Sequence, residues 1–337
     1  MDSVTIKAFA KINMRLEIRE KRPDGYHGIE TMFRGIRLHD ELVVSGEGEG
    51  IKLECEGPFS RGLPGDSENL VWQAADLLRR SFPDRIRGAA IRLHKRIPVA
   101  AGLGGGSADA AAALLGLDRV YSLGLSKENL TYFAARLGAD VAFCLAPLAA
   151  IGRGRGEDLE EMSPGLPLWV LLIKPPFGSA TKDVYDRWDG TKTENCEKGS
   201  MTLLRKGMRE NQPALIWENM VNDLEKPALL LDKRLTVYKA RIEEEITALP
   251  GFRVDAGKAE GAGGGKVLLC GSGSAFGVFF AEKASARMLM ERLQAIRSLV
   301  WTPAPGGSTE GESPRILLTR TLTAEDLACR MRDRKEE

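Results

Sequence analysis

Four glycines fall within five residues in Pro98-Val-Ala-Ala-Gly102-Leu-Gly104-Gly105-Gly106-Ser107-Ala-Asp109-Ala-Ala-Ala-Ala113, and an alanine run follows them directly. Glycine lets the backbone take positive φ and come close to a ligand, and alanine is the best helix former. The spacing predicts a loop entering a helix, with loop amides and the helix's unpaired first N–H groups converging on an anion. Phosphate suits such a place because the helix dipole favours negative charge there. The candidate set is Pro98, Val99, Ala100, Ala101, Gly102, Leu103, Gly104, Gly105, Gly106, Ser107 and Ala108. Three other groups carry chemistry. Lys11 and Asn13, two residues apart in an extended segment, share one face. Lys21-Arg-Pro-Asp-Gly-Tyr26-His27 makes a turn that displays an aromatic ring and an imidazole side by side. Asp140 stands just after Gly138 at a helix boundary, where the residues alone suggest a cap.

Several chemistries are excluded. A Walker loop needs Gly-Lys-Ser/Thr at its end, but Gly106 is followed by Ser107 and the loop holds no lysine. A Rossmann fingerprint starting at Gly102 needs glycine where Ser107 stands. Cys55, Cys144, Cys196, Cys270 and Cys329 are scattered without a Cys-x-x-Cys pair, which argues for free thiols and against a zinc site. His27, His39 and His94 are equally dispersed. With 48 Lys and Arg against 47 Asp and Glu, no global field steers the chain to nucleic acid or an anionic membrane. No apolar segment has the length of an export signal or a membrane span, so a cytoplasmic enzyme is expected.

Strands and helices must hold these groups in place. Val4, Ile6 and Ala8, then Ile12, Met14, Leu16 and Ile18, share one parity and predict a half-buried strand with a bulge near Ala8-Phe9-Ala10. Leu42-Val-Val44 and Ile51-Lys-Leu53-Glu-Cys55 read as further strands. Ser67-Glu-Asn69 opens a helix, Ile91 and Leu93 mark the strand feeding the glycine loop, and Ser126 caps a helix that ends at Gly138. Trp169-Val-Leu-Leu-Ile173 is a buried strand that opens a second domain, which places the boundary near residues 155–165. Residues 189–212 lack periodicity and read as a surface loop, residues 255–266 as a hairpin tip, residues 303–313 as a solvent loop, and the charged tail after Leu327 as a fraying helix.

The segment Pro98-x3-Gly-Leu-Gly-Gly-Gly-Ser107 resembles the ATP-binding motif of the GHMP kinases, the family of galactokinase, homoserine kinase and mevalonate kinase. Ala10-Lys-Ile-Asn13 followed by the turn through Tyr26-His27 resembles the opening of one branch of that family. That branch acts in non-mevalonate isoprenoid synthesis on a cytidine diphosphate-linked methylerythritol. Gly138-Ala-Asp140-Val-Ala-Phe143 is similar to the element whose aspartate serves as catalytic base, with Ala142 and Cys144 in place of the usual Pro and Phe. Asn222-Asp-Leu-Glu225 and Gly271-Ser-Gly273-Ser-Ala275 resemble two further family elements.

The resemblance implies an α+β two-domain GHMP kinase fold. Residues 1–160 would be an ATP-binding domain like domain 2 of ribosomal protein S5, and residues 161–337 a ferredoxin-like domain. It implies ATP-dependent phosphorylation of the substrate's 2-hydroxyl, with Asp140 taking the proton and Lys11 pairing with it and neutralising charge on the phosphoryl group. ATP would sit on residues 98–108, with Mg²⁺ bridging its phosphates and Ser107 as protein ligand. Tyr26 and Tyr185 would stack on the cytosine, His27 read its edge, Asn13 orient the erythritol, and Gly273 help close the site. The implied partner is a small molecule rather than nucleic acid or membrane, and the protein acts as monomer or homodimer. Two alternatives stay open at this level. A GHMP kinase for another small alcohol has no use for the Tyr26-His27 pair, and a non-catalytic nucleotide- or RNA-binding relative has no need of Lys11 and Asp140 together.

Overall fold

A computed structural model describes residues 3–191, 199–249, 253–255, 258–260, 265–295 and 313–334. The first stretch runs β1 (Ser3–Lys21), β2 (His27–Ser45), β3 (Gly50–Glu56), α1 (Leu70–Ser81) and β4 (Gly88–His94). It continues as α2 (Gly105–Val120), α3 (Lys127–Leu137), α4 (Ala139–Leu145), β5 (Ala149–Arg153) and β6 (Asp158–Glu161). Next come β7 (Trp169–Lys174), α5 (Thr181–Thr191), α6 (Met201–Glu210), α7 (Pro213–Asn219), β8 (Val221–Asn222), α8 (Glu225–Leu231) and α9 (Lys233–Thr247). The chain closes with β9 (Arg253–Asp255), β10 (Lys258–Glu260), β11 (Gly265–Leu269), β12 (Phe276–Phe280), α10 (Lys283–Ala295), β13 (Arg315–Arg320), α11 (Ala324–Ala328) and β14 (Met331–Arg334). This is a mixed α+β chain.

Two main sheets carry it. The first runs β14-β1-β2-β4-β3, with β5 and β6 continuing from β2 and β8 lying against β1. The second runs β11-β12-β7-β13 and is antiparallel throughout. In the first sheet β3 and β4 are parallel, as the crossover through α1 requires. Asn69 caps α1 by accepting from the Val71 amide at 2.9 Å, and Ser126 and Asn129 form a reciprocal capping box on α3. Both helix starts therefore agree with the sequence reading.

The strand β1 is the backbone of the molecule. Its even-numbered side chains enter three separate apolar cores in turn. Val4, Ile6 and Ala8 pack with α1, α2 and α4; Ala10, Ile12 and Met14 pack with the second sheet, α6 and α7; Leu16 and Ile18 join α5, α8, α9 and α10. The expected bulge is present as a register shift between Phe9 and Lys11, and a second follows between Asn13 and Arg15. The half-buried expectation fails beyond Lys7, because residues 8–16 are buried on both faces. The side that alternation assigned to solvent is covered by His39 at Phe9, by the glycine loop and Asp140 at Lys11, and by residues 199 and 219 at Arg15. Lys11, Asn13 and Arg15 are consequently buried polar residues.

Other expectations are corrected. Residues 201–210 form the amphipathic helix α6, capped by Ser200, where aperiodicity had suggested loop; Leu204 and Met208 are fully buried. Beyond the short α11, the tail returns as β14, paired antiparallel with the start of β1 from Ile6↔Met331 to Ser3↔Arg334, so it is a strand and not a fraying helix. The hairpin tip expected at residues 255–266 is met only in part: β9 and β10 pair over residues 253–260, residues 265–266 already belong to β11, and residues 256–257 and 261–264 lie outside the described residues. Most of the expected loop at 303–313, and Cys196, lie outside the described residues.

Candidate active site

The glycine loop is built from below and from the side. Beneath it, Asp40 accepts from the Ile97 amide at 2.7 Å and from the Arg96 amide, which fixes the chain leaving β4. Lys95 donates to Asp40 and, at 2.7 Å, to Asp109 in the second turn of α2. Burial, opposed by the Lys95 charge and reinforced by Asp40, raises the Asp109 pKa well above the carboxylate range. Burial works against the Lys95 ammonium, but the two carboxylates outweigh it and its pKa is raised. From the side, Ser274 N donates to Ala100 O at 3.2 Å and Lys11 N to Leu103 O at 2.9 Å.

Two glycines are required here by geometry. Gly104, the N-cap of α2, has φ +67, and a Cβ on it would sit 2.8 Å from Lys11 Cγ. Gly102 has φ +74 and a Cβ on it would lie 1.7 Å from the Cys270 carbonyl oxygen. The first glycine loop thus touches both the Lys11 side chain and the turn between β11 and β12. Residues 98–107 all line a cleft of about 550 Å³, while Ala108 is buried behind them.

Lys11 and Asp140 face each other across this cleft, Nζ to Oδ2, at 3.2 Å. The bulge in β1 and the first turn of α4 supply them. Lys11 is 5% exposed, so its direction is fixed by packing against the Phe33 ring and by donation to Asn13 Oδ1 at 2.9 Å. Asn13 in turn donates to Thr31 Oγ1 at 2.8 Å, and Thr31 donates to the Arg15 carbonyl at 2.7 Å. This chain of hydrogen bonds leaves one ammonium aimed at one carboxylate. The Asp140 side chain remains 30% exposed, open to a ligand. Burial, assisted by the Asp140 charge, pushes the Tyr185 phenol up to about 12, so it stays neutral in the same cleft.

The far rim holds aromatics. Tyr26 is exposed on the turn between β1 and β2 and carries the Arg155 guanidinium over its ring at 5.2 Å. Arg155 itself lines the cleft. His27 is buried against α5, stacked on Tyr185 with centroids 5.6 Å apart. At the start of the same helix α5, Thr181 Oγ1 is hydrogen-bonded to Ser272 Oγ at 2.8 Å, and both line the cleft.

A family model described as the GHMP kinases N terminal domain matches residues 69–147, the span holding both the glycine loop and Asp140. The 4-diphosphocytidyl-2-C-methyl-D-erythritol kinase of Moorella thermoacetica is 39% identical over 302 residues, covering 87% of this chain and 96% of that one. The protein of the same name from Brevibacillus brevis is 33% identical over 92% of this chain and 98% of its own. The chain belongs to the 4-diphosphocytidyl-2-C-methyl-D-erythritol kinase family. A crystal structure of 4-(cytidine 5'-diphospho)-2C-methyl-D-erythritol kinase superposes with TM-score 0.69 at 30% identity, covering 94% of this chain and 98% of that one. A homoserine kinase from Cytophaga hutchinsonii superposes at 0.64 with 16% identity, over 96% and 95% of the two chains, and shares the fold.

Within this kinase fold one cleft brings together Lys11, Asn13, residues 98–107, Asp140 and Tyr185. Tyr26 and His27 stand at its rim through Arg155 and Tyr185 respectively. In the turn between β11 and β12, Gly271 and Ser272 line the cleft, whereas a Cβ on Gly273 would point at Leu269 and Ser179. Sequence reasoning missed the groups that hold these residues in place. Asn222 was assigned no chemistry, yet its amide donates to Leu269 O at 2.8 Å and Gly271 O at 2.7 Å and so anchors that turn. Thr31, Asp40, Lys95, Asp109 and Asp189 carry no role in the sequence reading either, although Lys95 and Asp109 flank the glycine loop closely enough to invite the question, whereas the polar turn Gly152-Arg-Gly-Arg155-Gly-Glu157, expected near the cleft, does bring Arg155 to it.

Among the described residues no group of three His, Cys, Asp or Glu side chains is arranged to hold a metal, and no helix is long and apolar enough to cross a membrane. A kinase Mg²⁺ is held largely by phosphates and water, which needs only a few protein oxygens. The Ser107 hydroxyl fits that need. It lies in the first turn of α2, lines the cleft, and has no side-chain hydrogen bond among the described residues.

Proposed function

We propose that the chain transfers the γ-phosphoryl group of ATP to the 2-hydroxyl of 4-diphosphocytidyl-2-C-methyl-D-erythritol, a step of the non-mevalonate route to isoprenoids. The single observation that carries the chemistry is the Lys11–Asp140 pair, 3.2 Å apart in the cleft that the glycine loop lines. The loop amides and the N-terminal end of α2 would receive the ATP phosphates. Asp140 would accept the hydroxyl proton as the oxygen attacks, and Lys11 would balance charge on the phosphoryl oxygens. A tertiary hydroxyl is weakly acidic, so positioning and charge stabilisation both count. Ser107, with the phosphates, would hold Mg²⁺, which would supply neutralisation of the triphosphate charge. The closing of the cleft by residues 271–272 would exclude water.

At the rim, the exposed face of Tyr26 and the ring of Tyr185 would take the cytosine, with His27 at its edge and Asn13 near the alcohol. On this reading the donor nucleotide would sit at residues 98–107, with Ala108 behind them, and the acceptor toward β2 and α5. Small water-borne substrates fit a cytoplasmic setting. The test is phosphoryl transfer from labelled ATP to a panel of alcohols. Selective labelling of the cytidyl substrate is the expected result. Equal or better labelling of homoserine, mevalonate or galactose would refute the assignment.

A further inference from the structure

The helix α5 turns three side chains of one face, Tyr185, Trp188 and Asp189, onto a single imidazole. Their spacing of three and four residues is that of helical neighbours. Tyr185 lies nearly parallel to the His27 ring, 21° between planes, and Trp188 meets it edge-on at 5.1 Å and 75°. Asp189 Oδ1 stands 2.6 Å from His27 Nε2, and Lys21 donates to Asp189 Oδ2 at 2.6 Å. Both carboxylate oxygens are therefore engaged. The Lys21 hydrogen bond, opposed slightly by burial and aided by His27, lowers the Asp189 pKa, so the group is ionised near neutral pH. An ionised carboxylate only accepts, which puts the proton on Nε2 and leaves Nδ1 of a neutral ring as an acceptor. Nδ1 has no hydrogen-bond partner among the described residues.

We propose that Asp189 is a specificity-determining positioning residue: it fixes His27 as the Nε2–H tautomer, so that Nδ1 offers an acceptor to the base of the bound pyrimidine nucleotide. This rests on the preceding reading that the cytidyl end docks beside His27 and Tyr185. A pyrimidine with a 4-amino group can donate to Nδ1. One with a 4-oxo group sets acceptor against acceptor and leaves both unpaired. Two aromatic walls alone do not make this distinction, because either base stacks on them equally well. The second hydrogen bond of a histidine sets which ring nitrogen is protonated, and here the residue that makes it comes from a helix 162 positions further along the chain.

The test compares CDP and UDP binding by calorimetry to the full chain. Wild type binds CDP about 10- to 100-fold more tightly than UDP, the range set by one unpaired buried polar group. Asp189→Ala narrows the gap to about threefold or less, mainly by weakening CDP, and leaves ATP binding unchanged; Asp189→Glu restores most of it. Asp189→Asn, which keeps the shape but pairs with either tautomer, narrows the gap as well and serves if the alanine variant is poorly folded. In ¹⁵N spectra the wild-type His27 ring shows a protonated Nε2 and a bare Nδ1, and the alanine variant shows a mixture. A merely structural role for Asp189 would not move that signature. A wild-type preference for CDP that survives in Asp189→Ala and Asp189→Asn, or a proton on Nδ1 of the neutral wild-type ring, overturns the inference alone. Wild type that binds neither diphosphate overturns the acceptor-site reading, and the inference with it.

Discussion

Replacing Gly102 by alanine tests whether the loop works through close approach or through flexibility. The added Cβ would stand 1.7 Å from the Cys270 carbonyl oxygen, against 3.4 Å for an ordinary contact, so the two turns must separate by about 1.7 Å. The backbone at φ +74 adds roughly 1–2 kcal/mol of strain for an L residue. A misplacement on the order of 1 Å at a reacting centre costs about 100-fold in rate, so kcat/KM should fall at least about 100-fold, or ~2.7 kcal/mol. Gly106→Ala is the matched control. Its Cβ meets only Leu70 Cδ1 at 3.5 Å, inside the first turn of α2, where alanine should raise helix stability by roughly 0.5–1 kcal/mol. Steady-state kinetics, ATP calorimetry and thermal unfolding on the pair separate the effects. Loss of activity confined to Gly102→Ala supports close approach. Wild-type kinetics in a folded Gly102→Ala protein would refute the reasoning.

Asp140→Asn keeps the side-chain shape 3.2 Å from Lys11 and removes the proposed base, so kcat should fall about 100-fold or more while ATP titrates nearly as before; undiminished turnover would leave Asp140 a helix first-turn acid only. Lys174 donates to the Pro175 and Phe177 carbonyls at 2.6 Å, and burial lowers its pKa to about 8. Between pH 8 and its ordinary value of 10.5 the unfolded chain holds the proton that the folded one releases, so this group's contribution to stability rises with pH across that window. Urea unfolding of wild type and Lys174→Met over that range should give a difference that grows with pH in favour of wild type, and a constant or shrinking difference would contradict it.

The parts of the site written in consecutive residues are legible in the sequence. The glycine loop with its alanine helix is one such part, and Lys11 with Asn13 on one strand face is another. Asp140 needed the family likeness, because a helix-boundary aspartate is ambiguous on its own. What escaped depends on segments far apart in the chain. Asp189 reaches His27 across the fold, Asn222 anchors the turn at Gly271, and Asp40 steadies the backbone at Ile97. Periodicity failed on β1 for a related reason. Alternation assumes one wet face, and β1 from residue 8 to residue 16 has none. At the tail, a charged stretch looked unable to hold order until the bare edge of β1 offered it backbone partners.

That edge has a bearing on how the chain is made. One side of β1 is covered by β2, its immediate neighbour in sequence, but the other is completed at residues 15–16 by β8 and at residues 3–6 by β14. Translation delivers β1 more than 300 residues before β14. Throughout synthesis the nascent protein carries an open strand edge, the kind of surface that invites pairing with a neighbouring chain. Closure waits for residues 331–334 to leave the ribosome. Truncations or fusions that withhold residues 331–334 should therefore damage yield more than they damage the cleft, which those residues do not line.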